Sequence, residues 1–462
     1  MTKALAQLSN RLLLALVLAA ILAPCALAPA LAEDGLVPLI AKGEPVDWWF
    51  VYKFNSNKFK GQRPFGCCGP DSGTRTCLFD PKNRWRAPGG KMYQGVQTQF
   101  GANFSQQYVF ASSGTDKLPK GELTKGEKCL GMTLSDPVGA TFDEIYHHKP
   151  YFLIWNDQFY NDPPIDGCGS GNCNSPWGHS KGVLAWNEQG AGFVMQVTTL
   201  SWPGSGTQDH PRVHGNTLGC VSTQNNLKNA QHFFALKLDK QGVIAVLEGL
   251  VNAGVATDPH NAQLARIGGP KEIRDLAMSA GVKPKRIRPD KKTAADLKIL
   301  QIRLTPDVTL ISKPSNLNVP PWQMVSALLG SEAERTATRW SPPRIPSTKA
   351  STKIGCWEGV LKSENKKSGQ VVIAKSGHWG KFPIGLIGGQ NHAKIGVATS
   401  GSKHYVIFGD LNQQGTLNPV KGRCDKSQNG RGGMFFIVEN NEALFKSVSD
   451  LLKGEDEPFG KK

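Results

Sequence analysis

The tripeptide His-x-Lys occurs in two matched settings, Gly178-His179-Ser180-Lys181-Gly182-Val183-Leu184 and Asn391-His392-Ala393-Lys394-Ile395-Gly396-Val397. Each copy opens an apolar, β-branched run of the kind that becomes a buried strand. Alternate residues of a strand share a face, so each His emerges together with its Lys. Two such pairs set face to face gather two imidazoles and two ammonium groups around one point, an arrangement suited to a phosphodiester. The bare tripeptide is weak evidence, because roughly one occurrence is expected by chance in a chain this rich in Lys. His147-His148-Lys149, run into Pro150, is such a decoy. The copies at 179 and 392 differ from it in their small flanking residues and in the strand that follows each. They lie 213 residues apart, about half of the chain without its leader, a spacing that a duplicated unit explains.

Residues 1–32 read as an export signal. Lys3 and Arg11 precede the apolar stretch Leu12 to Ala23, and Ala30-Leu31-Ala32 fits a small-residue cleavage site. The stretch is too short for a membrane anchor and is broken by Pro24 and Pro29. Removal would leave a soluble protein, secreted or periplasmic. Nine cysteines then remain, Cys67, Cys68, Cys77, Cys129, Cys168, Cys173, Cys220, Cys356 and Cys424, an odd number with at least one free thiol. In an exported chain they predict disulfides, and Cys168 and Cys173 can close a small loop. Neither a Cys-x-x-Cys pair nor a His-Glu-x-x-His run is present, so no metal and no other cofactor is expected.

The formal charge of +17 falls to about +15 without Lys3 and Arg11, which favours a polyanionic partner. The densest basic run, Lys283-Pro284-Lys285-Arg286-Ile287-Arg288 with Lys291 and Lys292, reads first as a solvated linker and second as a phosphate-tracking strip. It also marks the boundary between halves, 33–280 and 281–462. Strands are expected at Asp47–Tyr52, Tyr151–Trp155, Phe193–Thr198, Leu218–Ser222, Tyr405–Gly409 and Met434–Val438, and helices at about Leu227–Leu238 and Val243–Ala253. Pro320-Pro321 ahead of Trp322, Val325, Leu328 and Leu329 predicts a further helix. Strands interleaved with helices give an α/β layer sandwich in each half. Trp48, Trp49 and Trp155 are assigned to the core.

Gly178-His179-Ser180-Lys181-Gly182 also satisfies the Gly-x-Ser-x-Gly elbow of serine hydrolases. That elbow needs a strand before Ser180 and a helix after it, whereas a Pro/Gly/Cys loop precedes and a strand-like run follows. The second copy has Ala393 in place of the serine. Two histidines and two lysines can instead cleave a phosphodiester without metal. One neutral imidazole attacks phosphorus, and the other, protonated, serves the leaving oxygen and then the water. Lys181 and Lys394 stabilise the developing charge. Asn412, in Gly409-Asp410-Leu411-Asn412, lies twenty residues past His392 and is a candidate for a hydrogen bond to the site. Thr199 lies the same interval past His179 and is the weaker counterpart.

The paired motifs resemble the phospholipase D superfamily, and Gly409-x-x-Asn412 is similar to its Gly-Ser-x-Asn element. Together with Val46-Asp47-Trp48-Trp49-Phe50-Val51-Tyr52-Lys53 and Trp155-Asn156-Asp157-Gln158, the two His-x-Lys blocks look like the deoxyribonuclease II family, in that family's order. The resemblance implies two fused phospholipase-D-like α/β/α domains about a pseudo-two-fold with one shared site. It further implies acid-favoured cleavage of double-stranded DNA, with 3′-phosphate and 5′-hydroxyl ends and little sequence preference. With both pairs on one chain a monomer suffices for catalysis, and a dimer is equally compatible. Another phosphodiesterase of the superfamily, acting on lipid or RNA, is the runner-up; a DNA-binding protein with a dead site is the non-enzyme reading. Two departures stand out. Asn391 replaces an acidic residue before the second histidine, and the first half lacks a Gly-x-x-Asn element.

Overall fold

Two large sheets, each built from one half of the chain, carry the two His-x-Lys motifs on corresponding strands. The computed structural model describes residues 35–55, 85–86, 92–93, 107–127, 130, 134–147, 150–159, 163–169, 172–200, 229–287, 297–339, 341–387 and 391–460. The described residues from Leu36 onward form one compact unit. The expected leader, the strand at 218–222, and Cys67, Cys68, Cys77, Cys129 and Cys220 lie outside the described residues.

The first sheet contains β1 (Trp48–Lys53), β2 (Tyr108–Ser112), β3 (Thr124–Lys125), β4 (Tyr151–Asn156), β5 (Lys181–Trp186), β6 (Gly192–Val197), β7 (Gln231–Leu238) and β8 (Ala265–Arg266). Their spatial order is β8-β4-β5-β6-β7-β1-β2-β3. The second sheet contains β9 (Leu300–Thr305), β10 (Val308–Lys313), β11 (Ala333–Ala337), β12 (Gln370–Ile373), β13 (Ile395–Ser400), β14 (Lys403–Gly409) and β15 (Gly433–Glu439), in the order β9-β10-β15-β14-β13-β11-β12. Read from the opposite edge, the order β11-β13-β14-β15-β10 follows the same path as β4-β5-β6-β7-β1, with antiparallel neighbours throughout; the next strand differs, since β2 follows β1 in the chain whereas β9 precedes β10. The fold is mixed α/β.

One expected helix is a strand. Residues 231–238 of the stretch Leu227–Leu238 form β7, the central strand between β6 and β1. Gln231-His232-Phe233-Phe234-Ala235-Leu236 is buried on both faces, so its apolar run has no alternation to set it apart from a buried helix. The second expected helix is present as α2 (Lys240–Ala253), capped by the Asp239 carboxylate on the Gly242 amide and ended by Gly254 in the left-handed region. The Pro321–Leu329 helix is also found.

Period-two alternation sorts each strand between two apolar layers. Phe50 and Tyr52 point into the central core with Phe234, Leu236, Leu310, Phe408 and Phe436 from both sheets. Trp49 and Val51 face outward, against Val138, Phe142 and Ile145 of α1 (Pro137–His147). Trp322, Val325, Ile407, Phe435 and Ile437 make the outer layer of the second sheet. Phe408 joins the two sheets, stacked 4.6 Å from Phe50 and 4.7 Å from Phe234 between ring centroids. Helix α2 continues this junction: its Gly249 carbonyl accepts from Ser312 Oγ at 2.8 Å, and Asn252 Nδ2 donates to the Ser312 carbonyl at 3.1 Å.

The basic segment after α2 is held to the protein where it is described. Lys283 Nζ donates to the Gly167 carbonyl at 2.7 Å, and Asn316 Nδ2 donates to the Lys285 carbonyl at 3.0 Å. It therefore runs as a strap beside the loop closed by the Cys168–Cys173 disulfide. A second disulfide joins Cys356 to Cys424.

Because Phe408 fills the space between the sheets, Phe408→Ala should cost about 3–5 kcal/mol of unfolding free energy. Urea unfolding followed by fluorescence and by circular dichroism checks this. A loss below about 1 kcal/mol would mean that the sheets do not depend on this contact.

Candidate active site

Each His-x-Lys motif is anchored by the half that does not contain it. The backbone amide of His179 donates to the Gly432 carbonyl, and that of His392 to the Ala230 carbonyl, both at 2.8 Å. Strand register makes these acceptors counterparts: Phe234 and Phe436 occupy matching positions, and Ala230 and Gly432 each lie four residues before them. Glycine is required on the first side. A Cβ on Gly178 would meet the Ala253 carbonyl oxygen at 2.6 Å, and one on Gly432 would meet it at 2.0 Å. The chain thus passes the end of α2 closely enough to bring His179 against β15.

The two motifs then converge. His179, Lys181, His392 and Lys394 are all buried, and the charges of Lys394 on His179 and of Lys181 on His392 are felt across the site. His179 Nδ1 lies 2.9 Å from the Asp410 carbonyl oxygen. A carbonyl only accepts, so the neutral ring carries its proton on Nδ1 and keeps a lone pair on Nε2. Lys181 Nζ donates to Asp157 Oδ1, and Arg431 donates to Asp157 Oδ2 at 2.7 Å. Burial alone would raise the Asp157 carboxyl, but Lys181, His179 and Arg431 hold it well below the usual carboxylate range. Arg431 also donates to the carbonyls of Cys173, Trp177 and Gly178, at 2.7, 2.9 and 2.9 Å, and so fixes the loop leading to His179. Lys313 holds Arg431 from behind, its ammonium donating to the carbonyls of Leu317, Asn429 and Arg431.

The surroundings of the second histidine are different. His392 Nε2 lies 3.1 Å from Asn229 Nδ2 and 3.4 Å from Arg339 Nη1, while Nδ1 lies 3.4 Å from the Gln231 amide. Lys394 Nζ donates to the His392 carbonyl at 2.6 Å. Burial pushes the His392 imidazole well below its ordinary value, and Lys394, Arg339, Lys181 and Lys53 push it the same way. For His179 burial again dominates and the cations add to it, but Asp157 pulls in the opposite direction.

A chain of buried polar groups links the halves beneath the site. The Lys394 amide donates to His232 Nδ1 at 3.0 Å, His232 Nε2 bonds Gln196 Oε1 at 3.2 Å, and Gln196 Nε2 donates to Asp410 Oδ1 at 2.9 Å. The Met434 amide donates to Asp410 Oδ2 at 2.9 Å, and the Ser180 hydroxyl bonds the same carboxyl. Burial pushes the Asp410 carboxyl up to about 6 against these hydrogen bonds.

Not every expected residue takes the place foreseen for it. Asn412 is buried near the site and its Nδ2 donates to Gln414 Oε1 at 2.9 Å, while the carbonyl that orients His179 belongs to Asp410, two residues earlier. Thr199 is not the counterpart of Asn412. Gly182 pairs with Gln196 but Ile395 pairs with Phe408, so the first hairpin is one residue longer and Thr199 aligns with Leu411. Ser180 accepts from Trp155 Nε1 at 2.8 Å, is buried, and is followed by strand β5, so the hydrolase elbow is not formed. Asp157 and Asp410 stood inside noted motifs, where a carboxylate beside Lys-rich elements could have been read as a partner. Gln196, Asn229, His232, Arg339 and Arg431 carried no such signal. Among the described residues, no group of three His, Cys, Asp or Glu side chains is placed to hold a metal ion, and no helix is long and apolar enough to cross a membrane.

The two sheets of this α/β scaffold thus bring two buried His-x-Lys pairs into each other's field. The family model for deoxyribonuclease II matches residues 91–325, just over half of the chain, and the chain belongs to that family. Rat deoxyribonuclease-2-alpha is 27% identical over 186 residues, which make up 39% of this chain and 39% of that protein. The aligned part therefore spans well under two thirds of the relative, and the family match ends before His392.

Asp410 gives the stability a definite pH dependence. Its folded value of about 6 lies above the ordinary 3.8, so its contribution is complete below about pH 3.8 and is lost as pH rises through 6. The loss should be on the order of 2–3 kcal/mol by pH 8. Asp410→Asn should flatten this part of the profile in urea titrations between pH 4 and 8. An unchanged slope would show that Asp410 titrates normally.

Proposed function

We propose that the chain is a metal-independent endodeoxyribonuclease working through a phosphohistidine intermediate, favoured by acid. The observation that carries this reading is the His179 ring, held through Nδ1 by the Asp410 carbonyl with Nε2 left as a lone pair beside the second His-x-Lys pair. His179 Nε2 would attack phosphorus as the bond to the 5′ oxygen breaks, and the leaving oxygen would take its proton from the His392 imidazolium. Water, giving a proton back to His392, would then cleave the P–N bond and release a 3′-phosphate. The lysines would meet charge on the non-bridging oxygens.

The acid preference is supported by the site's own field. Burial and surrounding cations push both histidines down, so one ring stays neutral readily and the other needs acid or a bound phosphate to become charged. The matched strand orders support a pseudo-two-fold between halves 33–280 and 281–462, and the two disulfides support export after loss of residues 1–32. The partner we propose is double-stranded DNA, read through its backbone, with no base preference expected from phosphate contacts and a monomer sufficient for turnover.

His179→Ala and His392→Ala should each lower cleavage of plasmid DNA by about 10³-fold or more, with folding retained, while His147→Ala should stay within two-fold of the parent. Activity should survive excess chelator, follow a bell in pH, and leave 3′-phosphate ends. Loss of activity on chelation with rescue by a divalent ion, 5′-phosphate ends, or a rate rising only into alkaline pH would each overturn the mechanism. RNA and phosphatidylcholine vesicles, assayed in parallel, separate the DNA reading from the other phosphodiester substrates.

A further inference from the structure

Corresponding positions of the two halves carry opposite charges at the site. Trp155 pairs with Gly182 and Ala337 pairs with Ile395, the residues that follow Lys181 and Lys394. Two residues further on, Asp157 and Arg339 are therefore counterparts. By the register of β7 and β15, Asn229 and Arg431 are counterparts as well. Around His179 the set is Asp157, Lys181 and, from the other half, Arg431, an anion clamped between two cations. Around His392 it is Arg339, Lys394 and, from the other half, Asn229, two cations and an amide. The place that Asp157 fills in one half has no carboxylate at the matching position of the other.

Arg339 is half-buried, so its guanidinium reaches both His392 and solvent. Resting on the phosphodiesterase reading above, we propose that Arg339 is a phosphate-binding residue of this site. It takes a non-bridging oxygen of the scissile phosphate, and the substrate supplies in the second half the anion that Asp157 supplies in the first. Guanidinium geometry suits this role, because its planar fork can hold two phosphate oxygens at once. The same guanidinium lies 3.4 Å from His392 Nε2. A phosphate drawing it away would remove the charged one of the two groups facing that nitrogen, the other being the Asn229 amide, and so favour a proton there for the leaving oxygen.

The test compares the parent with Arg339→Gln, Arg339→Lys and Lys446→Gln, the last removing an exposed charge from the C-terminal helix. Arg339→Gln should lower kcat/KM on duplex DNA by about 10²-fold, and Arg339→Lys should recover at least ten-fold of that loss. Lys446→Gln should stay within two-fold. Duplex binding measured against salt in a His179→Ala background should lose about one unit of slope when Arg339→Gln is added. The cations facing the His392 imidazole are Lys394, Arg339, Lys181 and Lys53, so deleting one should move the His392 limb of the pH profile upward. A merely structural role predicts a lower Tm with an unmoved limb and slope, and that result would overturn the proposal, as would parental kcat/KM in Arg339→Gln. Titration with inorganic phosphate, read by the His392 ring resonance, keeps the two readings apart. If the parent fails to cut DNA, the nuclease reading fails, while phosphate binding lost in Arg339→Gln still supports the anion site. If the parent cuts DNA and Arg339→Gln binds phosphate equally well, the Arg339 assignment alone fails.

Discussion

The structure turns on a reciprocal exchange of two backbone hydrogen bonds. His179 donates to Gly432, and His392 donates to Ala230, so neither half can place its own histidine without the other. An unpaired amide at this depth would cost on the order of 1–3 kcal/mol, and moving one motif away would orphan both. The demand for close approach explains the glycines at 178 and 432 and the left-handed ending of α2 at Gly254. It also explains the aromatic junction. Phe408, four residues before Asn412 and two before Asp410, packs on Phe50 and Phe234 of the other sheet, so the strand that delivers Asp410 is the one that fixes the sheets together.

A polar seam this buried is stable only when its members satisfy one another. Here the run Lys394–His232–Gln196–Asp410 crosses between the halves at both of its ends, and its middle bond, His232 to Gln196, lies within the first half. The tautomer of His232 follows from its neighbours: the Lys394 amide must be accepted at Nδ1, which leaves Nε2–H for Gln196. Lys313 adds a similar constraint behind Arg431, where burial pushes it down to about 7 and three carbonyls surround its ammonium. The Lys394 amide and the side chains of His232, Gln196, Asp410 and Lys313 do not meet a substrate in the proposed reaction. They hold the backbone that presents the groups that do.

Much of this was legible in the sequence, and the failures have physical causes. The His-x-Lys pairs were visible because strand alternation is local: i and i+2 share a face whatever lies outside the strand. The strand at 48–53 and the helix from Pro321 were visible for the same reason, as apolar runs with local start signals. Residues 231–238 were misread as helix because a strand buried on both faces loses its alternation, and pairing with β1 and β6 decides its form. Thr199 was misaligned because equal sequence intervals do not imply equal register when one hairpin carries an extra residue. Arg339, Asn229 and Arg431 could not be found at all by local pattern. They lie just beyond strand ends, and only the pairing of strands far apart in sequence brings them to the histidines.

Two halves with matching strand order would, on the proposed mechanism, pose a chemical difficulty that these positions resolve. Two identical halves would give two histidines with the same environment and the same proton affinity, whereas acid and base roles need environments that differ. Main-chain placement is nearly common to both halves, as the matching amide bonds show. The difference must therefore come from side chains at corresponding positions. Asp157 opposes the cations around His179, while Arg339 joins those around His392. His179 is also tied through Nδ1 to a carbonyl, and His392 faces amides and a guanidinium. The first ring is thereby fixed as one tautomer with a lone pair available, and the second is left as the group whose charge depends most on what anion stands beside it. On the proposed mechanism that dependence couples protonation of the leaving group to arrival of the phosphate, so that the acid is made where and when it is used.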